Sequence, residues 1–206
     1  MPSSPVHLKV AYMLADKIGI NNKPDFLLGA ISPDCVNYGV SQASEEVRYR
    51  SHIRVRDYDK WKENLRNFYG DNKEKYSGHS DFLKGYLFHM WTDIAWDEVI
   101  QPKLFEYLGT LGYGYDDMTP QKWKELYRFN SMIVKEDDYK KAAELVKNGV
   151  PAEIAGCSTE LIGKYRDYVA NDYKDKILDE KPLFLNNSHI EDTINHMIKM
   201  NYIAFE

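Results

Sequence analysis

The sequence predicts an all-α fold, a bundle of about seven to nine helices. Apolar residues recur at spacings of three and four along most of the 206 residues, as they do on one face of a helix. Polar residues followed by proline mark helix starts, as at Ser3–Pro5 and Thr119–Pro120. No segment alternates apolar and polar residues between hairpin turns, so the sequence predicts no sheet.

Length and composition predict one domain, spanning residues 1–206, with a substantial core. The net charge is −5 and no basic run occurs, which argues against a long nucleic acid as partner. No segment approaches the roughly 18 uninterrupted apolar residues of a transmembrane helix. Cys35 and Cys157 form no metal or disulfide pattern, and the first residues lack the features of a signal peptide. We therefore expect a cytoplasmic protein, of undetermined oligomeric state.

The first helix is predicted to begin at a serine cap before Pro5 and to run to about Ile18. His7 falls on its apolar face, which also contains Val10, Ala11 and Leu14. A second, short helix is predicted over residues 25–30, and Pro33 stops it. This leaves Asp34 on an ordered loop, either as an ordinary turn or cap aspartate or as a functional carboxylate.

Residues 39–57 are the least periodic part of the chain and are predicted to form a loop with a short helix. This segment contains His52 and four arginines, at positions 48, 50, 54 and 56. The arginines are either a solvated surface run or the lining of a site for an anionic substrate, bound through its phosphate oxygens. Arg54, two residues from His52, is the candidate for substrate binding.

The central helix is predicted over about residues 81–98, capped by Ser80 or Asp81, and to resume past Pro102 to about residue 108. His89, Asp93 and Asp97 recur every four residues on it and form a polar column. Apolar residues in the same register place this column toward the core. A buried histidine and carboxylate need partners, either each other or a shared metal ion.

Caps and apolar periodicity predict five further helices, over about residues 58–69, 119–134, 137–147, 158–178 and 189–204, the last capped by Ser188.

Five residues are candidate metal ligands. Three lie on separate early segments and two on the central helix: His7, Asp34, His52, His89 and Asp93. Imidazoles and carboxylates without a thiolate suit zinc, with iron or manganese not excluded. Such a centre would cleave a phosphoester by attack of a metal-bound water.

The motifs around these residues resemble the zinc-dependent phospholipase C family, which is related in fold to single-strand-specific zinc nucleases. They are His7, GAISPD at residues 29–34, SHIR at residues 51–54 and GYLFHMWTDIAW at residues 85–96, so the resemblance covers roughly the first 100 residues. It implies an all-helical fold and one zinc ion bound by Asp34, His52, His89 and Asp93. It further implies that His7 binds a second zinc ion, that Asp93 is shared between the ions, and that Asp34 acts as general base or orients water.

The chain also departs from the family pattern. Secreted members bind zinc through the amino group and carbonyl of a mature amino-terminal tryptophan, where this chain has Met1. Later histidine and carboxylate ligands of the family have no match in spacing, since His189, Asp192 and His196 occur in another order. We therefore expect one or two ions, with Asp97 as a substitute ligand or as acceptor for a histidine N–H. His189 and His196 are expected at the surface or in helix caps.

These observations predict a zinc-dependent hydrolase, like phospholipase C, that acts on a small-molecule or lipid phosphoester. Asp34 and Arg54 are its candidate catalytic residues. The alternative is a non-catalytic helical binding or regulatory domain that retains a structural metal site.

Overall fold

A computed structural model describes residues 1–40, 42–174 and 176–202. In these ranges the chain contains no strand and forms two 3₁₀ helices, Ser32–Asn37 and Ser77–His79, and ten α-helices: α1 (Ser4–Ala15), α2 (Lys23–Ile31), α3 (Glu45–Ser51), α4 (Tyr58–Asn72), α5 (Ser80–Val99), α6 (Gln101–Thr110), α7 (Tyr115–Ile133), α8 (Asp137–Val146), α9 (Thr159–Asn171) and α10 (Asn187–Lys199). The predicted all-α class is confirmed, whereas the predicted number of seven to nine helices is too low. None of the described helices combines the length and apolarity needed to cross a bilayer.

Several predicted helix ends are wrong. α1 ends at Ala15 rather than near residue 18, and α4 continues past its glycine to Asn72. α9 ends at Asn171 rather than near residue 178, because Asp172 leaves the helical conformation with φ −147° and ψ 34°. Asp and Asn favour such non-helical backbone, which apolar periodicity does not detect.

Two predicted helix starts also need correction. α7 begins at Tyr115 after Gly114, so Pro120 lies inside the helix instead of opening it. The two aspartates that follow Tyr115 stabilise this earlier start through the helix dipole. Asn186, not Ser188, caps α10, since its side chain accepts a hydrogen bond from the Ser188 N–H. The predicted end of this helix at residue 204 lies outside the described residues.

α5 is the centre of the molecule and is buried on nearly all sides, from Asp81 through Trp96 with the exception of Lys84. A helix that is apolar all round belongs in a core, and nearly all of the described buried hydrophobic side chains form one cluster around it. α1, α2 and α10 are among the helices that pack against α5. A polar side chain on α5 is therefore enclosed by protein whichever way it points.

α2 and α5 cross with their backbones in contact at Gly29 and Gly85. A Cβ atom on Gly85 would overlap the carbonyl oxygen of Phe26, and one on Gly29 would overlap that of Phe82. Only glycine allows this approach. The crossing brings the end of α2, and the 3₁₀ helix that follows it, against the middle of α5.

Candidate metal centre

His89 lies in the middle of α5 and is buried. Its Nδ1 atom is 2.8 Å from the carbonyl oxygen of Ala30, at the end of α2. A carbonyl only accepts, so Nδ1 carries the proton and donates it, and the lone pair is on Nε2. The buried Nε2 atom has no hydrogen-bond partner. The close crossing of α2 and α5 thus brings the Ala30 carbonyl to the His89 ring. Metal-binding histidines are commonly oriented by a hydrogen bond of this kind.

Asp93 lies one turn further along α5, with a carboxylate that is also buried and has no hydrogen-bond partner. Its Oδ2 atom is 3.7 Å from His89 Nε2, and its Oδ1 atom is 3.2 Å from His7 Nε2. Burial acts to raise the pKa of Asp93, but the surrounding imidazoles, that of His89 first, lower it to about 2. The carboxylate is therefore ionised, and a buried charge of this kind requires compensation.

His7 projects from α1 and stacks on His89, with 3.6 Å between the ring centroids and 12° between the planes. Neither ring nitrogen of His7 has a hydrogen-bond partner. Burial and the adjacent His7 lower the pKa of His89 to about 3, so its imidazole is neutral near pH 7. Neutral imidazole is the form that binds metals.

His52 terminates α3 and presents Nε2 to the same place. Its Nδ1 atom is 2.9 Å from the carbonyl oxygen of Arg48, which fixes the ring and leaves the lone pair on Nε2. Trp61 Nε1 donates to the His52 carbonyl at 3.0 Å, and the next residue, Ile53, adopts φ +50° and ends the helix. Burial acts to lower the pKa of His52, but the carboxylates of Asp34 and Asp93 outweigh it and raise the pKa.

Asp34 lies in the 3₁₀ helix Ser32–Asn37 and caps no helix by its side chain. Its Oδ2 atom accepts a hydrogen bond from Ser4 Oγ at 2.7 Å, and its Oδ1 atom is 3.7 Å from His52 Nε2. Burial acts to raise the pKa of Asp34, but the imidazoles around it, His52 first, hold the pKa well below its usual range. Of the two readings that the sequence left open, this geometry favours the functional carboxylate.

The five predicted ligands converge on one place. Ligand atoms of His7, His89 and Asp93 lie within 4.8 Å of one another, and so do those of Asp34, His52 and His89. In the neutral form of the imidazoles that metal binding requires, the cluster carries two carboxylate charges, and several of its buried atoms have no partner among the described residues. A divalent cation offsets that charge and uses those lone pairs, so the residues fit a zinc-type ion.

A cavity of about 190 Å³ opens beside the cluster and is lined by Asp34, His52 and Asp93. Arg54 also lines it, with its guanidinium over the rings of Trp61 and Tyr49, 5.2 and 5.6 Å from their centroids. Other residues of the wall are aromatic or cationic: Arg48, Trp123, Tyr127, Tyr173 and Lys176.

Searches against protein-family models, curated proteins and solved structures found no match.

The four arginines have different surroundings. Arg56 is exposed and pairs with Glu45 at 3.4 Å, and Arg50 packs against Gly156. Arg48 and Arg54 line the cavity. Arg54 Nε is buried without a hydrogen-bond partner, and no carboxylate of the described residues forms an ion pair with this side chain. Arg56 is therefore a surface arginine, whereas Arg54 lies in the cavity wall without a carboxylate partner among the described residues.

Asp97 is directed away from the cluster. Its carboxylate accepts hydrogen bonds from Tyr58 Oη at 2.7 Å and from the amino group of Met1 at 2.6 Å. His189 is a helix cap, since its Nδ1 atom accepts from the Asn186 N–H, and His196 pairs with Glu98 on the surface. Asp192 pairs with Lys103. None of these four residues belongs to either described group that could hold a metal.

Sequence reasoning missed Ser4 and Tyr165. The serines before Pro5 were interpreted as a helix cap, but neither makes a side-chain cap bond, and the Ser4 hydroxyl lies between Asp34 and Tyr165. Ser4 is three residues before His7 and shares its helix face, a signal that could have identified it. Tyr165 is on α9, and nothing local in the sequence distinguishes it from the other tyrosines.

Proposed function

We propose that this protein is a metal-dependent phosphoester hydrolase, like the zinc-dependent phospholipases C in ligand set and fold. The observation that carries the proposal is the buried, unpartnered state of His89 Nε2, the His7 nitrogens and the Asp93 carboxylate, with one ligand atom of each residue within 4.8 Å of the others. Buried polar atoms in proteins nearly always have partners, so this many orphaned atoms at one place point to an ion.

The donor geometry bears on the number of ions. Because His89 Nδ1 donates to Ala30, only Nε2 can bind, and His89 serves a single ion. An ion held by Asp34, His52, His89 and Asp93 has four protein ligands, so it would be catalytic only if water entered as a fifth ligand from the cavity, whereas a second ion at His7 would share Asp93. We propose one tightly bound zinc ion and at most one weaker neighbour.

Two residues would act on the substrate. A bound zinc ion would supply Lewis-acid polarisation of a phosphoryl oxygen and would make water acidic enough to ionise near pH 7. Asp34, ionised and at the cavity wall, would help hold the ion and orient a water molecule beside it. Arg54, whose guanidinium lacks a carboxylate partner, would hold the phosphate oxygens.

The size of the cavity bears on the substrate. About 190 Å³ is less than the roughly 300–1,000 Å³ of sites that enclose a drug-sized ligand. A phosphate group with a small alcohol fits, and acyl chains of a lipid would have to remain outside. We propose a small phosphoester or a lipid headgroup as the substrate, in a reducing compartment such as the cytoplasm, with support from the free thiols of Cys35 and Cys157.

Metal analysis and turnover together test the proposal. We expect purified protein to contain close to one equivalent of zinc and to cleave members of a panel of chromogenic phosphodiesters and phosphomonoesters. A chelator should abolish cleavage and added zinc should restore it. Less than about half an equivalent of any transition metal, with none taken up on addition, would overturn the assignment.

A second candidate is a non-catalytic domain with a structural ion, favoured by the burial of His7, His89 and Asp93, each with about 1% of its side chain exposed. A structural zinc is closed by four protein groups, whereas a catalytic zinc keeps an open position. Cobalt substitution distinguishes the two. Inorganic phosphate should change the visible spectrum of an open site and leave that of a closed site unchanged.

A further inference from the structure

The Ser4 hydroxyl lies between a carboxylate and a phenol. Its Oγ atom is 2.7 Å from Asp34 Oδ2 and 2.5 Å from Tyr165 Oη. Ser4 Oγ donates its single hydroxyl proton to Asp34 Oδ2. Tyr165 Oη must therefore donate its proton to Ser4 Oγ. The three groups form a directed chain from Tyr165 through Ser4 to Asp34.

Both hydroxyl-bearing residues are enclosed. Ser4 is 2% exposed and Tyr165 is 5% exposed, so bulk water cannot readily replace either one. Burial also raises the pKa of Tyr165 well above its ordinary value, which keeps the phenol protonated and able to donate. A chain of this kind, inside a protein, orients its terminal acceptor more strongly than one exposed hydrogen bond would.

The chain occupies only one oxygen of Asp34. Oδ2 accepts from Ser4, which leaves Oδ1 on the side of His52 Nε2, 3.7 Å away. A carboxylate held in this way presents one oxygen to an ion and cannot rotate freely. Ser4 reaches Asp34 because it shares a helix face with His7, so α1 contributes both a ligand and the group that orients another ligand.

We propose that Ser4 and Tyr165 are positioning residues of the metal centre, which hold Asp34 with Oδ1 toward the ion. The inference rests on the proposed function, since it concerns the ligand arrangement of that centre. Groups that orient metal ligands in this way typically affect metal affinity by about 10–100-fold.

The experiment compares zinc affinity, by competition with a chromogenic chelator, and the visible spectrum of the cobalt-substituted protein. Ser4→Ala removes the donor to Asp34, and Tyr165→Phe removes only the phenol oxygen. We expect zinc affinity to fall about 10–100-fold for Ser4→Ala and by a smaller factor for Tyr165→Phe, with altered cobalt bands in both. Because the groups act in series, the double variant should bind within about twofold of Ser4→Ala alone. Ser4→Thr, which keeps a hydroxyl, should restore part of the affinity.

Tyr139→Phe is the matched control. Tyr139 is equally buried, at 5% exposure, but its hydroxyl donates to the carbonyl oxygen of Val169 at 3.2 Å. Its removal should lower stability without changing zinc affinity. If Tyr165→Phe behaves in the same way as this control, the tyrosine is merely structural and the inference is wrong.

The remaining outcomes separate the two proposals. Wild-type protein that binds no zinc overturns the metal centre itself. Wild-type protein that binds zinc, with unchanged affinity and cobalt spectra in the variants, overturns only the positioning chain. If the losses of zinc affinity from the two single substitutions add in the double variant, Ser4 and Tyr165 do not act in series. If Ser4→Ala does not fold, Tyr165→Phe decides the matter, because it deletes one atom and leaves the ring in place.

Discussion

His7 and His89 stack face to face, with their ring centroids 3.6 Å apart. Two imidazolium ions at this distance in a buried site would repel each other, so the stack requires at least one neutral ring. His89 is that ring, since burial and His7 lower its pKa to about 3. Because one ring comes from α1 and the other from α5, the packing of these two helices brings the two candidate ligands together.

Asp93→Asn should affect the stability of the zinc-loaded protein and that of the metal-free protein differently. Zinc at about 1,000 times its dissociation constant should stabilise wild-type protein by roughly 4 kcal/mol, because the site forms only on folding. The variant should gain almost nothing. In chelator, however, the variant should be at least as stable as wild type, because it no longer buries an uncompensated charge. Thermal unfolding with and without zinc measures both effects, and equal zinc stabilisation of the two proteins would remove Asp93 from the ligands.

Asp97→Asn is the control for that substitution, on the same helix and one turn further along. Its carboxylate accepts from Tyr58 Oη and lies outside both metal-binding groups. We expect unchanged zinc content by elemental analysis, with a loss of about 1–3 kcal/mol in unfolding free energy from the weakened hydrogen bonding. Loss of metal from this variant would show that Asp97 is a ligand, as the sequence pattern allowed.

Arg54→Ala should reduce turnover without affecting metal content. A charge-assisted hydrogen bond contributes about 1.5–3 kcal/mol, so kcat/KM should fall roughly 10- to 100-fold on any phosphoester that the protein cleaves. Arg56→Ala is the matched control, since Arg56 is exposed and paired with Glu45. Steady-state kinetics on one chromogenic substrate compare the two. Equal activity of both variants would remove Arg54 from the substrate site.

Gly85→Ala should damage the fold and the centre together. The added Cβ would overlap the Phe26 carbonyl oxygen and force α2 away from α5, which also displaces the carbonyl that orients His89. We expect a loss above about 3 kcal/mol in unfolding free energy, or no folding. Gly70→Ala, in α4, has open space around its Cβ and should raise stability by up to about 1 kcal/mol. Chemical denaturation measures both, and a stable Gly85→Ala variant with normal zinc affinity would contradict the role of the crossing.

The sequence identified all five residues of the cluster, but for different reasons. His89 and Asp93 are distinguished by periodicity, because four-residue spacing on an apolar helix face is a local property. His7 follows from the same argument on α1. Asp34 and His52 lie in irregular segments, where local patterns say little; their residue types made them candidates, and the resemblance to a known order of motifs gave them their expected roles.

Where sequence reasoning failed, the deciding contacts are distant in the chain. The serines before Pro5 have the local pattern of a cap, yet Ser4 is 161 residues from the tyrosine that bonds it. Asp97 has the same helical register as Asp93, yet Tyr58, 39 residues earlier, occupies its carboxylate. Cap preference and periodicity depend on neighbours along the chain, so they cannot show which distant residue will form a hydrogen bond with a given side chain.

The all-helical class and the burial of polar residues on α1 and α5 can be read from the chain alone, because helix formation and burial follow from local spacing. Which of those residues meet depends on how the helices pack. The contact of α2 with α5 at Gly29 and Gly85 sets the orientation of His89, and α9 supplies the phenol behind Asp34. These relationships depend on how closely whole helices can approach, which is fixed by packing across the core and not by the pattern within any one helix.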